Sequence, residues 1–139
     1  REFSDMFNLP YHSVCTTSTH DMTPLRNWWK EDPEKTQRYY NHVLQRIGEA
    51  PDECTAEIVA QIISNHLKTR SMLTIIPLQD WFAMDDSIKR KDIESERINV
   101  PANSTHYWRY RMHITLEQLL QADNLNNKIV SLIKEAGRK

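Results

Sequence analysis

The stretch that decides the fold is SVCTTSTHDMTPLRNWW, residues 13–29. Its β-branched start, residues 14–17, predicts a buried strand, which the polar residues after it interrupt. Thr23-Pro24 then predicts a helix start, with the threonine as cap and the proline at the first helical position. A strand, a sharp turn and a helix in succession place His20 and Asp21 on the rim where α/β folds bind ligands.

Apolar residues at helical spacing follow this stretch. They predict three helices, over residues 24–30, 33–48 and 55–67. A second continuous apolar run, residues 71–77, predicts a strand that is buried on both faces. A short helix should follow within residues 78–84, with Asp80 interpreted as its N-cap.

The rest of the chain is predicted to be loop and then helix. Residues 85–96 are charged without an apolar face and predict a solvated connection, with a loop at 98–103. Thr115 opens a capping box for a C-terminal helix, split near 123–124 and ending by Gly137.

The order of these elements predicts a parallel sheet. Two apolar strands separated by helices form a βαβ unit, in which the strands run parallel. Two parallel strands do not make a stable sheet alone, and the chain has only two glycines. We therefore expect an α/β, predominantly helical piece from the end of a longer barrel or sheet.

Composition excludes several function classes. The formal net charge is −1 and the charges are interspersed, so no nucleic-acid partner is expected. No apolar run approaches the roughly 18 residues of a membrane span, and the first residues carry no hydrophobic signal region. We therefore expect no membrane partner either.

Cysteine and histidine usage points to an intracellular protein without a metal. Cys15 and Cys54 are too few for a disulfide framework, and buried free thiols in a reducing cytosol are expected. The histidines and cysteines show no paired ligand spacing of the zinc-site kind. The predicted localisation is cytoplasmic, with no metal and no cofactor.

An aromatic and basic cluster, YWRYR, occupies residues 107–111. Arg109 and Arg111 alternate with aromatic residues as in an RNA-binding strand, but the balanced charge favours packing and local ion pairs. The tryptophans could stack on a ligand, but tryptophans at such spacings usually belong to the core. We interpret them as core residues: Trp28, Trp29, Trp81 and Trp108.

Four motifs, in order along the chain, together resemble a known family. They are CTTSTHDM at 15–22, PLQD at 77–80, RINVP at 97–101 and YWRYR at 107–111. This set is similar to the 4-α-glucanotransferases, the amylomaltases or disproportionating enzymes of glycoside hydrolase family seventy-seven. The resemblance covers most of the chain.

The resemblance implies a fold and a reaction. The family fold is a (β/α)8 TIM barrel, and residues 1–139 would be the C-terminal segment of that catalytic domain, about its last two βα units. The start without Met, directly before a barrel strand, favours such a fragment. The implied reaction transfers α-1,4-glucan segments between maltodextrins by a retaining double displacement. Its nucleophile and acid/base would lie upstream, so the isolated chain should be inactive.

The resemblance also implies three site residues. Asp21 would be the transition-state stabiliser, hydrogen-bonded to hydroxyls of the reacting sugar. His20 would contact the same sugar, and Asn99 would line the donor subsite. Ala102 stands where the family commonly has glycine, a departure that weakens any inference about that loop's backbone.

Each of these residues also has a plainer interpretation. Asp21 could cap the helix that follows, and His20 and Asn99 could be ordinary turn residues. The alternative function is a non-catalytic helical module that binds carbohydrate or another protein. In either case, unpaired strand edges and an apolar face predict that the isolated chain self-associates.

Overall fold

A computed structural model of the protein describes residue 3 and residues 5–138. The strands and helices are β1 (Val14–Thr16), α1 (Leu25–Glu31), α2 (Pro33–His42), α3 (Ala56–Leu67), β2 (Leu73–Ile75), α4 (Leu78–Phe82), α5 (Leu116–Leu120) and α6 (Asp123–Glu135). The strands pair in parallel with Cys15 opposite Thr74, which confirms the predicted βαβ order.

The two strands are buried on one face only. Cys15 and Ile76 face the core, whereas Val14, Leu73 and Ile75 are about half exposed. Burial on both faces, as predicted for the second apolar run at residues 71–77, is therefore wrong for this chain. The reason is that no described residue packs on the outer face of the pair closely enough to bury these side chains.

Helix α3 forms the centre of the core. The Thr55 hydroxyl accepts a hydrogen bond from the Ile58 N–H at 3.3 Å and caps the helix. The predicted apolar stripe is confirmed: Val59, Ile62 and Ile63 are fully buried. Other buried side chains complete the cluster around it, including Trp29, Leu44, Phe82, Met84 and Leu125.

Helix α1 begins differently from the prediction. Pro24 is the residue before the helix, and no hydroxyl of Thr23 caps it. The Leu25 N–H instead donates to the carboxylate of Asp80 at 2.9 Å. Asp80 is the third residue of α4 and caps α1 across the fold, so its interpretation as the N-cap of its own helix is wrong.

Helix α2 ends at His42 rather than at Gly48. Gln45 adopts a left-handed backbone with φ 54°, which takes the chain out of the helix. The Asn41 amide donates to the Arg46 carbonyl at 2.8 Å and holds the resulting loop. Ile47, predicted to lie on the apolar stripe, is consequently 97% exposed.

The charged stretch 85–96 is only partly solvated. It ends in a 3-10 turn, Glu94–Glu96, and the Glu96 side chain is 2% exposed. The Arg26 guanidinium lies 3.5 Å from its carboxylate, also buried. A solvated connection is therefore wrong for this end of the stretch, because a buried cation on α1 draws Glu96 inward.

The C-terminal helices follow the prediction. Thr115 and Gln118 form the capping box of α5, and the chain breaks at Ala122 before α6. Leu125 is fully buried. Beyond α6, Arg138 donates to four carbonyls at the end of α3 and in its connection to β2, those of Leu67 at 2.6 Å, Thr69 at 2.9 Å, Ser71 at 2.9 Å and Met72 at 3.5 Å.

Cys15 and Cys54 are both buried free thiols, as predicted. Burial raises the pKa of both, to about 12 for Cys54, so neither is a ready thiolate nucleophile. None of the described helices has the length and apolar character needed to cross a bilayer.

Candidate functional site

The turn between β1 and α1 carries His20 and Asp21 on the C-terminal side of the strand. Both side chains are 52% exposed. A few hydrogen bonds shape the turn itself: the Thr16 hydroxyl donates to the Ser18 carbonyl at 2.6 Å, and the Met22 N–H donates to the Thr19 carbonyl at 3.0 Å. The turn therefore presents an imidazole and a carboxylate to solvent side by side.

Asp21 binds a neighbour through each of its oxygens. The Asn99 amide donates to Oδ1 at 2.6 Å, across 78 positions of sequence, and His20 Nε2 lies 3.2 Å from Oδ2. The structure thus brings the three predicted site residues into one cluster. A carboxylate oxygen accepts more than one hydrogen bond, so Asp21 keeps capacity for a ligand hydroxyl.

The loop that carries Asn99 is held from two sides. His106 Nε2 lies 3.0 Å from the Ile98 carbonyl, and the Gln79 side chain donates to the Glu96 carbonyl at 3.1 Å. Asn99 is therefore positioned by Gln79, from α4, and by His106, which follows Asn99 in the chain.

Two buried carboxyl groups lie beneath the turn. Asp80 is fully buried and Glu96 is 2% exposed. Burial raises the pKa of both, and for Glu96 it reaches about 7 although the Arg26 guanidinium lowers it. Glu96 Oε2 has no hydrogen-bond partner among the described residues. These groups support the site from below and do not reach its surface.

Trp108 borders the His20–Asp21–Asn99 cluster. The sequence analysis did not predict this position for Trp108. Its ring centroid lies 5.0 Å from that of His20, and the residue is 59% exposed. The interpretation as core holds for Trp29, at 2% exposed, and is wrong for Trp108. The position of Trp108 in a loop, on no apolar face, was the available signal.

The arginines beside Trp108 also differ from the prediction. The Arg109 guanidinium lies 4.9 Å from the centre of the Tyr107 ring, and Arg111 donates to the Tyr110 carbonyl at 3.0 Å. Over residues 5–138 neither makes an ion pair. Stacking and backbone contacts therefore replace the expected ion pairs.

The site is open rather than enclosed. A cleft of about 60 Å³ lies beneath the turn, lined by residues that include His20, Gln79 and Glu96. Ligand pockets usually measure roughly 300–1,000 Å³, so a ligand of ordinary size would rest on this surface rather than enter the cleft. Within the described ranges, no group of three or more His, Cys, Asp or Glu side chains is arranged to hold a metal.

The chain is similar to several known proteins. It is 38% identical over 137 residues to the 4-alpha-glucanotransferase DPE2 of rice, covering 99% of this chain and 14% of the rice protein. It is 31% identical over 123 residues to the 4-alpha-glucanotransferase of Chlamydia trachomatis, covering 86% of this chain and 22% of that enzyme. The chain thus spans less than a quarter of these relatives.

The fold is shared with a solved structure. An amylomaltase from Streptococcus agalactiae in complex with acarbose matches 96% of this chain and 23% of its own, at a TM-score of 0.70 and 18% identity. The sequence model described as 4-alpha-glucanotransferase matches residues 1–117. The chain therefore belongs to the 4-alpha-glucanotransferase family, glycoside hydrolase family 77.

Proposed function

We propose that this chain is the C-terminal segment of the (β/α)8 catalytic barrel of a 4-α-glucanotransferase, about its last two βα units. Three observations support the proposal: the family membership, the parallel β1–β2 pair, and a span of 14% to 23% of the matched proteins. The half-exposed strand face and the open site both suit a segment that is completed by the rest of a barrel.

The proposed reaction moves α-1,4-glucan segments between maltodextrins. A carboxylate attacks the anomeric carbon of the donor, the glycosidic bond breaks, and an acid/base carboxyl protonates the leaving oxygen. The 4-hydroxyl of a second glucan then attacks the glycosyl-enzyme, releasing the nucleophile and giving its proton to the same acid/base. We place both carboxyl groups in earlier barrel strands of the longer protein.

The observation that carries the proposal is the presentation of Asp21. Asn99 and His20 orient its carboxylate at the strand rim while half of the side chain stays open. Such a carboxylate accepts hydrogen bonds from sugar hydroxyls, and these bonds strengthen as positive charge develops on the ring. A fixed acceptor costs no reorganisation during the reaction. Asp21 is therefore assigned as transition-state stabiliser, with His20 and Asn99 contacting the sugar.

The same proposal assigns substrates and compartment. Maltose, maltodextrins and longer glucans from glycogen or starch are the expected substrates, and the chemistry requires no cofactor. The buried free thiols of Cys15 and Cys54 suit a reducing cytoplasm.

Activity of the longer protein tests the proposal. We expect it to convert maltotriose into glucose and longer maltodextrins, measured by chromatography of the products. The 139-residue chain alone is expected to give no product, because Asp21 cannot form or break a glycosyl-enzyme bond, and to self-associate in sedimentation velocity through its exposed strand face. An inactive, correctly folded longer protein would favour the non-catalytic binding module.

Trp108 is expected to support a sugar beside His20. An exposed indole offers an apolar face to the C–H groups of a pyranose ring, and such a contact is worth about 1 kcal/mol. Trp108→Ala in the longer protein should raise KM for maltodextrins by about fivefold, with kcat nearly unchanged. Steady-state kinetics measures both quantities, and Trp108→Phe should restore most of the affinity.

Tyr11→Ala is the matched control for Trp108. Tyr11 is 60% exposed and lies at the opposite end of β1, where its carbonyl accepts from the Met72 N–H. Its removal should leave KM unchanged. A normal KM with a lowered thermal midpoint in Trp108→Ala would show that Trp108 is a packing residue instead.

A further inference from the structure

The carboxylate of Asp80 joins the two ends of the turn that carries Asp21. Its Oδ2 accepts from the Thr17 hydroxyl at 2.5 Å, just after β1, and its Oδ1 accepts from the Leu25 N–H at 2.9 Å, at the start of α1. Ser18 adds a longer contact of 3.5 Å to Oδ2. Because one rigid, fully buried group holds both ends, it fixes how far apart they lie.

A helix cap explains only half of this arrangement. Capping accounts for the Leu25 N–H, which has no cap from its own preceding residues. It does not account for the Thr17 hydroxyl, because Thr17 lies just after β1, where the chain enters the turn. With this second contact, Asp80 links the two ends of the turn.

The residue before Asp80 acts on the other side of the site. Gln79 is 4% exposed, and its amide donates to the Glu96 carbonyl at 3.1 Å, three residues before Asn99. Two consecutive residues of α4 thus hold the two segments whose side chains meet in the Asp21–Asn99 hydrogen bond of 2.6 Å.

We propose that Gln79 and Asp80 are positioning residues, which set the Asp21–Asn99 hydrogen bond and so aim the Asp21 carboxylate at the substrate. The inference rests on the proposed function. Neither residue touches a sugar in this scheme. A misplacement of about 1 Å at a reacting group costs up to about 100-fold in rate, so loosening either tie should reduce kcat.

The test is kinetic and uses the longer protein. Gln79→Leu and Asp80→Asn should each lower kcat for maltotriose by about tenfold to 100-fold, with KM changed less than threefold. Thr17→Val should reproduce the defect because it removes one donor to Asp80, while Thr17→Ser should restore activity because it keeps the hydroxyl. Since Thr17 is only partly buried, this pair remains informative if Asp80→Asn fails to fold.

A double-mutant cycle separates positioning from general support. In an Asn99→Ala background the Asp21–Asn99 bond is already absent, so Gln79→Leu should cost little further activity. Asp32→Asn and Gln61→Leu are the matched controls. In the wild type Asp32 caps α2, and the Gln61 amide donates to the Leu44 carbonyl away from the site. Both should leave kcat unchanged even where they lower the thermal midpoint.

Three results would overturn the inference: wild-type kcat in Gln79→Leu and Thr17→Val, additive losses in the cycle, or equal losses in the two controls. Asp21→Asn serves as the reference for the proposed function. If Asp21→Asn abolishes activity and the α4 variants do not, only the positioning role fails. If Asp21→Asn is fully active, the proposed function of the site fails with it.

Discussion

Asp21→Asn in the longer protein is expected to lower kcat for maltodextrin transfer by about two to four orders of magnitude. The amide keeps the size of the side chain, and its oxygen still accepts from Asn99. It loses the negative charge and the second acceptor, which in the proposed function stabilise the positively charged sugar ring in the transition state. The thermal midpoint should stay at the wild-type value because the side chain is half exposed.

Asp52→Asn is the matched control for this substitution. Asp52 is an exposed loop carboxylate outside the His20–Asp21–Asn99 cluster, so kcat should not change. Retained activity in Asp21→Asn would return Asp21 to the role of a turn residue. Membership of the family would be untouched, since it rests on the match over residues 1–117.

Glu96→Gln is expected to become more stable relative to the wild type as the pH rises. Burial raises the pKa of Glu96 from 4.5 to about 7 in the folded chain. The folded state therefore holds a proton that the unfolded state releases between these values. The stabilisation of the folded state by this bound proton is complete below pH 4.5 and is lost as the pH rises through 7. The loss amounts to roughly 3 kcal/mol.

Thermal midpoints of wild type and Glu96→Gln, measured from pH 4.5 to 8.5, test this prediction. The amide cannot titrate, so the difference between the two proteins should grow in favour of Glu96→Gln up to about pH 7 and then level off. Glu53→Gln, at an exposed carboxylate paired with Lys30, should show no such trend. A pH-independent difference would mean that the Arg26 guanidinium keeps Glu96 ionised throughout.

The local parts of the fold could be predicted because neighbouring residues determine them. Helix α3 follows from its apolar spacing, and the start of α5 follows from the Thr115 capping box. The end of α2 could not be predicted. It depends on the Asn41 side chain bonding the Arg46 carbonyl and on an unusual backbone at Gln45, neither of which has a pattern in the sequence.

The site, too, has residues whose positions could be predicted from the sequence and residues whose positions could not. His20 and Asp21 could be placed on the rim from the strand–turn–helix order alone. Asn99 entered only through the resemblance, since no spacing predicts a contact across 78 positions. The role of Asp80 was predicted wrongly because a carboxylate near a helix start usually caps its own helix, and only the tertiary fold shows that it caps α1.

The hydrogen bonds from Arg138 to backbone carbonyls have a consequence for folding during synthesis. The carbonyls of Leu67, Thr69 and Ser71 lie about 70 positions upstream, so they receive this donor only after the ribosome has translated past residue 138. Until then the segment leading into β2 relies on water for these bonds. The segment between α3 and β2 is therefore among the last to gain its backbone hydrogen bonds in a chain synthesised from its N-terminus.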